Sequence, residues 1–406
     1  MMLSNRLTKL NHSPSAIIEG FVKCKENPYS RDNTKGYLNF GIAENHLMND
    51  KLLPKINYPL KLDNHHIQYN DLHGLKEVRQ TIKNFLENFL ALKELNSENI
   101  VIQTGLSAVC ESMSFAFFDK GDRILIPTPY YTGFNHDFTK RFECEFEQVH
   151  LHPDSNFAHN IKAFEETYLQ SPHKDKIKAV LITHPHNPTG EVLLEEFMND
   201  IISFCKKNHL ALISDEIYAL SNHQGQKHIS LYQKAKEAGV DAHFLYGLAK
   251  DFSLAGLKVG IYYHEDQKMA QAMQSLSYFH PVSTHTQLLV QNILADTHFL
   301  KEYIPLNQKR LKEIPLVLET QLPMYKFIPT DAGLFMLLDL SEQCKDFAQE
   351  KQLYEKFLNY IKINMTPGEE LGLKVPGFFR VCFARPKEEI LEFIVRMKLF
   401  YENELS

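Results

Sequence analysis

Apolar positions along the chain fall into two alternating patterns. Leu75, Val78, Ile82, Phe85, Phe89 and Leu92 step by three and four, which puts them on one face of an amphipathic helix. Ile100-Val101-Ile102 is then a short continuous apolar run, a strand, leading into Thr104-Gly105. A helical pattern opens near Ser107 and ends at Asp119-Lys120-Gly121-Asp122, and Arg123 to Ile126 predicts the next strand, stopped by Pro127 and Pro129. The rhythm returns with a strand at Ala179 to Thr183 and a helix at Glu195 to Lys207 that aligns Phe197, Ile201, Phe204 and Cys205. Further strands follow at Leu210 to Ser214, His243 to Tyr246 and Val259 to Tyr263. Apolar runs separated by helices are what a mostly parallel sheet covered on both faces requires. Beyond about residue 285 two helical stretches (285–297 and 299–319) precede shorter strands at Gly333–Leu338 and Phe379–Phe383 and a helix at 387–401, which reads as a smaller α+β unit. The first 60 residues carry turn formers and short apolar pieces and read as an arm. The expected organisation is an arm over 1–60 that contributes to the small domain, a large domain over 61–290 and a small domain over 291–406, with a soft boundary near 285–300.

Composition narrows the class. With 44% hydrophobic and 23% charged residues in 406, disordered and fibrous proteins are excluded. A net charge of -6 argues against a nucleic-acid binder, which carries a basic excess. No apolar run approaches the roughly 18 residues of a membrane helix, and MMLSNRLTKLNHS lacks the apolar block of a signal peptide. Cys24, Cys110, Cys144, Cys205, Cys344 and Cys382 form no CxxC pair. That argues against a disulfide framework or structural zinc and fits a reducing, cytoplasmic setting. His65, His66, His184 and His186 show no HExxH spacing and read as solvated or hydrogen-bonding loop residues, so no metal is expected.

Candidate chemistry clusters where strands end, the place where open α/β sheets bind ligands. Thr104-Gly105-Leu106-Ser107 joins a strand to a helix start, which serves either as a plain capped turn or as an anion site. Asn187 stands between two prolines, so its amide direction is fixed, whether for a rigid turn or for a ligand. Asp215 follows an apolar strand; it is either a helix N-cap or a buried carboxylate in need of a cation. Lys250 ends a fourth strand at Tyr246-Gly-Leu-Ala-Lys250, a place where a lysine is commonly exposed.

Asn187-Pro-x-Gly, Asp215-x-x-Tyr218 and Lys250 in this order resemble the class I/II aminotransferases, fold-type I enzymes that use pyridoxal 5'-phosphate. The resemblance spans about residues 35 to 400. It is sharpest to the aminocyclopropane-carboxylate synthase branch through Gly41-Ile-Ala-Glu44-Asn45, Asp71-Leu-His-Gly-Leu75, Pro127-Thr-Pro-Tyr-Tyr-Thr-Gly-Phe134, Ser214-Asp-Glu-Ile-Tyr218 and Phe379-Arg-Val-Cys-Phe-Ala384. It implies a large domain with a mostly parallel seven-stranded sheet between helices, a smaller α+β domain, and a homodimer with its active site at the interface. Lys250 is implied as the Schiff-base lysine and the general base and acid. Asp215 is implied as the partner of the pyridinium nitrogen, and Asn187 and Tyr218 as donors to the ring's phenolic oxygen. Tyr131, rather than Tyr130, would stack on the ring. Leu106, Ser107 and Lys258 would hold the phosphate. Arg380 would bind the substrate carboxylate through its fork, with Ala43, through its backbone, and Glu44 on the substrate side.

Three positions depart from the family pattern. Lys258 stands for an arginine and Gly247 for a serine, both of which normally touch the phosphate. Leu72 replaces a tyrosine that in the synthases reaches the neighbouring subunit's cofactor. The expected function is transamination between an amino acid and a 2-oxo acid. The alternatives are a lyase of the aminocyclopropane-carboxylate synthase type, or a related carbon–sulfur lyase, on S-adenosylmethionine-like substrates, and a catalytically silent protein that keeps the cofactor.

Overall fold

The computed structural model describes residues 16–405 together with Leu7. In chain order β1 (Leu38–Asn39) lies apart, and seven strands build one sheet: β2 (Ile100–Gln103), β3 (Arg123–Thr128), β4 (Glu145–His150), β5 (Ile177–Thr183), β6 (Ala211–Asp215), β7 (Ala242–Gly247) and β8 (Gly260–Tyr263). Their spatial order is β2-β8-β7-β6-β5-β3-β4. β8 runs antiparallel to both its neighbours; the contacts among β3 to β7 are all parallel.

Side chains in these strands alternate between two cores. Val180, Ile182, Leu212 and Phe244 face one cluster, while Ala179, Leu181, Ile213 and Leu245 face another. Helices Lys76–Phe89, Glu195–Asn208 and Thr284–Leu294 cover the first face, and Leu106–Phe117 and Gln267–Leu276 the second. Burial on both faces explains the uninterrupted apolar runs. Each fully buried aliphatic side chain contributes about 1.5–3 kcal/mol over exposure, so one charge placed at Leu181 or Ile182 would disrupt the sheet. β4 escapes the sequence reading because it is the edge strand. Its Glu145 and Glu147 stay partly exposed and pair with Arg123, so no apolar run marks it. The helices Ile161–Gln170, Leu231–Glu237 and Phe347–Asn359 also lie beyond the sequence reading.

A second core is built around β9 (Lys326–Ile328), β10 (Phe335–Asp339), β11 (Ile363–Asn364), β12 (Thr366–Pro367) and β13 (Phe378–Cys382). The order β12-β13-β10-β9 is antiparallel throughout. The segment read as an arm is packed here: Leu38 and Phe40 have no exposure, and β1 pairs parallel with β11. The first core includes Met48 and Leu52 and continues through Leu300 and Tyr303; the second resumes at Leu311. The changeover falls inside one helix, Thr297–Gln321. Among the described residues no helix is long and apolar enough to cross a membrane, and the six cysteines are free and buried.

Candidate active site

Thr183 lies beside Asp215, Asp215 beside Leu245, and Gly247 beside Gly260. The register, parallel among β5, β6 and β7 and antiparallel between β7 and β8, brings these residues to one edge. Over this edge lies a cavity of ≈ 170 Å³ lined by Leu106, Ser107, Tyr131, Asn187, Asp215, Tyr218, Lys250 and Lys258 among others. A neighbouring cleft shares Tyr131 and Lys250 and adds Gly41, Ala43 and Arg380.

Lys250 Nζ donates to the Ala43 carbonyl at 2.6 Å. Burial pulls its pKa from 10.5 down to about 8, and the charge of Arg380 acts in the same direction. An amine with a substantial neutral fraction near that pH is a competent nucleophile and base. Burial raises the Asp215 carboxyl to about 7. The Ile217 N–H, which donates to Asp215 Oδ1 at 3.2 Å, pulls it the other way. The carboxylate thus has the local backbone bond of a cap, and no ion pair among the described residues, while its open side faces the cavity.

Asn187, Tyr218 and Arg380 form a chain. Asn187 Nδ2 donates to the Tyr218 hydroxyl at 3.3 Å, and Arg380 Nη1 donates to Asn187 Oδ1 at 3.1 Å. Arg380 Nη2 donates to the Gly41 carbonyl at 2.8 Å and to Thr366 Oγ1 at 3.2 Å, and Nε is buried without a partner among the described residues. A buried guanidinium with a donor left over favours an anion. Tyr131 borders both cavities and meets Phe134 edge-on at 5.3 Å. Tyr130 is turned away, its hydroxyl donating to Asn135 Oδ1 at 3.1 Å.

At the opposite end Gly105 takes φ +88° before the helix Leu106–Phe117, a left-handed angle that favours glycine. The first N–H groups of that helix, on Leu106 and Ser107, have no helical carbonyl to bond, and a helix start of this kind favours an anion. Gly260 admits this turn: a Cβ there would lie 2.5 Å from the Gly105 carbonyl carbon. Lys258 lines the cavity with φ 53° and makes no ion pair or hydrogen bond among the described residues. A Cβ on Gly247 would come within 3.1 Å of the Val259 carbonyl oxygen. Glu44 lies outside both cavities and is half exposed. A hydrogen bond from His46 holds it below the usual carboxylate range, with help from the charge of Arg385.

Asp137, Cys110 and Thr183 also line the cavity and are not among the site residues expected from the sequence. A signal for Asp137 exists: it stands three residues after the apolar Phe134, a spacing that makes the two neighbours on a helix. Of the histidines, His184 and His186 are buried and hydrogen-bonded, to the Ile229 carbonyl at 3.1 Å and to Thr189 Oγ1 at 2.8 Å. Two groups bring possible ligand atoms within 4.8 Å: His159, His186 and Glu191, and Asp241, His243 and His264. In both, the side chains already bond to one another or to neighbours, at 2.6 Å for His159 to Glu191 and 2.8 Å for His264 to Asp241.

A cavity at the carboxyl edge of a mixed sheet, lined by a lysine of lowered pKa and a buried carboxyl group, suits a cofactor held covalently. Residues 35–397 match the family described as aminotransferase class I and II, and the chain belongs to it. It is 30% identical to 1-aminocyclopropane-1-carboxylate synthase 5 of Arabidopsis thaliana, covering 99% of this chain and 91% of that protein. It is also 30% identical to 1-aminocyclopropane-1-carboxylate synthase 3 of Solanum lycopersicum, again with 99% and 91% covered. Among solved structures, a Thermus thermophilus aspartate aminotransferase double mutant superposes with a TM-score of 0.82 at 20% identity, covering 98% of this chain and 99% of that one. The aromatic aminotransferase from Pyrococcus horikoshii OT3 gives 0.78 at 20% identity, covering 91% and 97%. The family uses pyridoxal phosphate. The residues present fit that group: an amine for its aldehyde, a carboxyl for its ring nitrogen, and an anion-binding helix start for its phosphate.

Proposed function

We propose that the protein is an aminotransferase that moves an amino group between an amino acid and a 2-oxo acid. The observation that carries this reading is the placement of Arg380, a buried guanidinium with a spare donor, in the same cleft as the Lys250 amine. A planar fork beside a basic amine is a receptor for an α-amino acid held by its carboxylate. When bound, pyridoxal phosphate supplies an electron sink for the substrate's α-carbon. Lys250 holds the cofactor and moves the α-proton, a task its lowered pKa serves near neutral pH. Asp215 keeps a proton on the ring nitrogen. Asn187 and Tyr218 orient the ring edge, Tyr131 covers its face, and Leu106, Ser107 and Lys258 hold the phosphate. The Ala43 carbonyl fixes Nζ between proton transfers, and Glu44 stands near the substrate entrance.

A homodimer completes the reading. Tyr69, Leu72, Tyr278 and Phe279 are exposed. Their segments are tied to both sides of the β2 end, through the Ile102 N–H to the His73 carbonyl at 2.9 Å and the Thr104 N–H to the His280 carbonyl at 3.1 Å. An apolar patch of this kind beside a cavity suits a second copy of the chain.

A second reading, a lyase of the aminocyclopropane-carboxylate synthase type, is favoured by relatives 30–31% identical over almost the whole chain; Leu72 counts against it. Incubating the cofactor-loaded protein with a panel of amino acids and with S-adenosylmethionine separates the readings. Amine-form cofactor supports the first, a cyclopropane product supports the second, and neither would point to a binding protein without turnover.

A further inference from the structure

The cavity holds one carboxyl group to which the proposed reaction gives no task. Asp137 lies in the short helical turn Asn135–Thr139 and lines the same end of the cavity as Leu106 and Ser107. Ser107, its neighbour on that lining, acts on it as a hydrogen-bond donor that pulls its pKa down, and no cation pairs with it among the described residues. Lys258, on the same lining, is exposed and points no ion pair at it. An ionised carboxylate here would stand next to the place where an anion must bind, and like charges that close disfavour each other.

We propose that Asp137 is a positioning residue for the bound phosphate. In its acid form its O–H donates to Ser107 Oγ and leaves the serine's O–H free for the phosphate; in its ionised form it captures that O–H and repels the phosphate. The inference rests on the cofactor reading above. A serine has one hydrogen to donate, so it cannot serve both oxyanions at once. Burial raises Asp137 to about 7, against the pull of Ser107, which puts the exchange near neutral pH.

The surrounding groups leave this assignment in place. On the facing helix the Cys110 thiol is pushed up by burial, and beside it the Tyr131 phenol is pushed up to about 12, so both stay neutral. On β4 behind the turn, Glu145 and Glu147 are paired with Arg123, and His150 bonds Thr128 Oγ1 at 3.0 Å. On the turn itself, burial and Lys140 hold His136 below its usual value. Burial also moves Asp215 to about 7 and Lys250 to about 8, but in the reading above they would serve the ring and not the phosphate.

The test compares pyridoxamine phosphate with pyridoxamine as ligands of the cofactor-free protein between about pH 6 and pH 8.5, since neither needs the covalent link. The ratio of their dissociation constants isolates the phosphate, because Lys250 and Asp215 act on both. The second ionisation of the phosphate, near 6, would make the advantage grow with pH. Control by Asp137 makes it shrink, by about tenfold over this range. Asp137→Asn, whose amide can donate to Ser107 Oγ at every pH, should abolish the decline and bind the phosphate better than wild type at the alkaline end. Ser107→Ala, which removes the hydroxyl being steered, should lower the advantage at the acid end and leave only the part of the decline that comes from charge repulsion. A wild-type advantage that is constant or rises with pH, or a decline that persists in Asp137→Asn, overturns the proposal. If neither compound binds at all, the cofactor reading fails and takes the proposal with it.

Discussion

Replacing Arg380 by lysine removes a planar fork and leaves a point charge. In the structure the guanidinium makes three hydrogen bonds, to Asn187, Gly41 and Thr366, and keeps Nε in reserve. A lysine ammonium has three donors but sets them tetrahedrally from one atom, so it cannot offer two parallel bonds to a carboxylate. The loss is one charge-assisted bond, about 1.5–3 kcal/mol, which weakens amino-acid binding roughly 10- to 150-fold. Cofactor content should be nearly unchanged, since Asp215, Tyr218 and the Ser107 helix start keep their places. The assay is a single-turnover titration of the cofactor-loaded variant, followed by absorbance, with an amino acid and with the matching amine that lacks the carboxylate. Only the amino acid should lose affinity. An unchanged affinity, or an equal loss with the amine, would refute the anchoring role. Thermal stability gives a second readout. Asn187 Oδ1 is a buried acceptor, and leaving it unbonded costs about 1–3 kcal/mol, so the variant should melt earlier; the Gly41 carbonyl keeps its bond from Thr366 Oγ1.

Borohydride treatment of the loaded protein followed by peptide mapping should place the cofactor adduct on Lys250; an adduct on another lysine would remove the central assignment. Because burial lowers Lys250 to about 8, the rate of cofactor capture should rise with pH as the ammonium loses its proton and level off above about pH 8; an inflection near 10.5 would mean the amine is solvated. Asp215→Asn should retain bound cofactor but lose most hydrogen–deuterium exchange at the substrate α-carbon, since an amide cannot balance a protonated ring nitrogen; wild-type exchange would reduce Asp215 to a turn-forming residue. Lys258→Arg should slow the loss of amine-form cofactor on dialysis, by up to about tenfold. The left-handed φ of Lys258 costs arginine no more than lysine, and release as fast as wild type would place the phosphate donors elsewhere. Gly247→Ser is a less clean companion, since the added Cβ must push back the Val259 carbonyl.

What was readable in the sequence follows from what repeats or stands alone. β5 and β6 show as unbroken apolar runs because both their faces are buried, and the polar residues that end them, Thr183 and Asp215, stand out by contrast. Lys250 and Arg380 belong to motifs with fixed spacing. Asp137 belongs to none, and its burial arises from the packing of one helical turn against Ser107 and Cys110, contacts between segments about 30 residues apart. β4 hides because an edge strand tolerates the charges that a central strand excludes. Leu38 and Phe40 hide because a two-residue strand has too little length to show a period, and their burial depends on β11, more than 300 residues away.

The helix Thr297–Gln321 has one half in each core. At 1.5 Å per residue it is a beam roughly 37 Å long, and a tilt of about 5° displaces its far end by about 3 Å. Pro305 lies near the changeover and gives up one backbone hydrogen bond there. Two residues on, the buried Asn307 accepts a hydrogen bond from Asn45 Nδ2 at 2.8 Å. Asn45 is two positions from Ala43, whose carbonyl holds Lys250, and four from Gly41, whose carbonyl holds Arg380. The fulcrum of the beam is therefore pinned to the strip of backbone that sets both the amine and the guanidinium. A change of bend at this point would reach the backbone strip that holds the amine and the guanidinium, although the helix itself lines neither cavity.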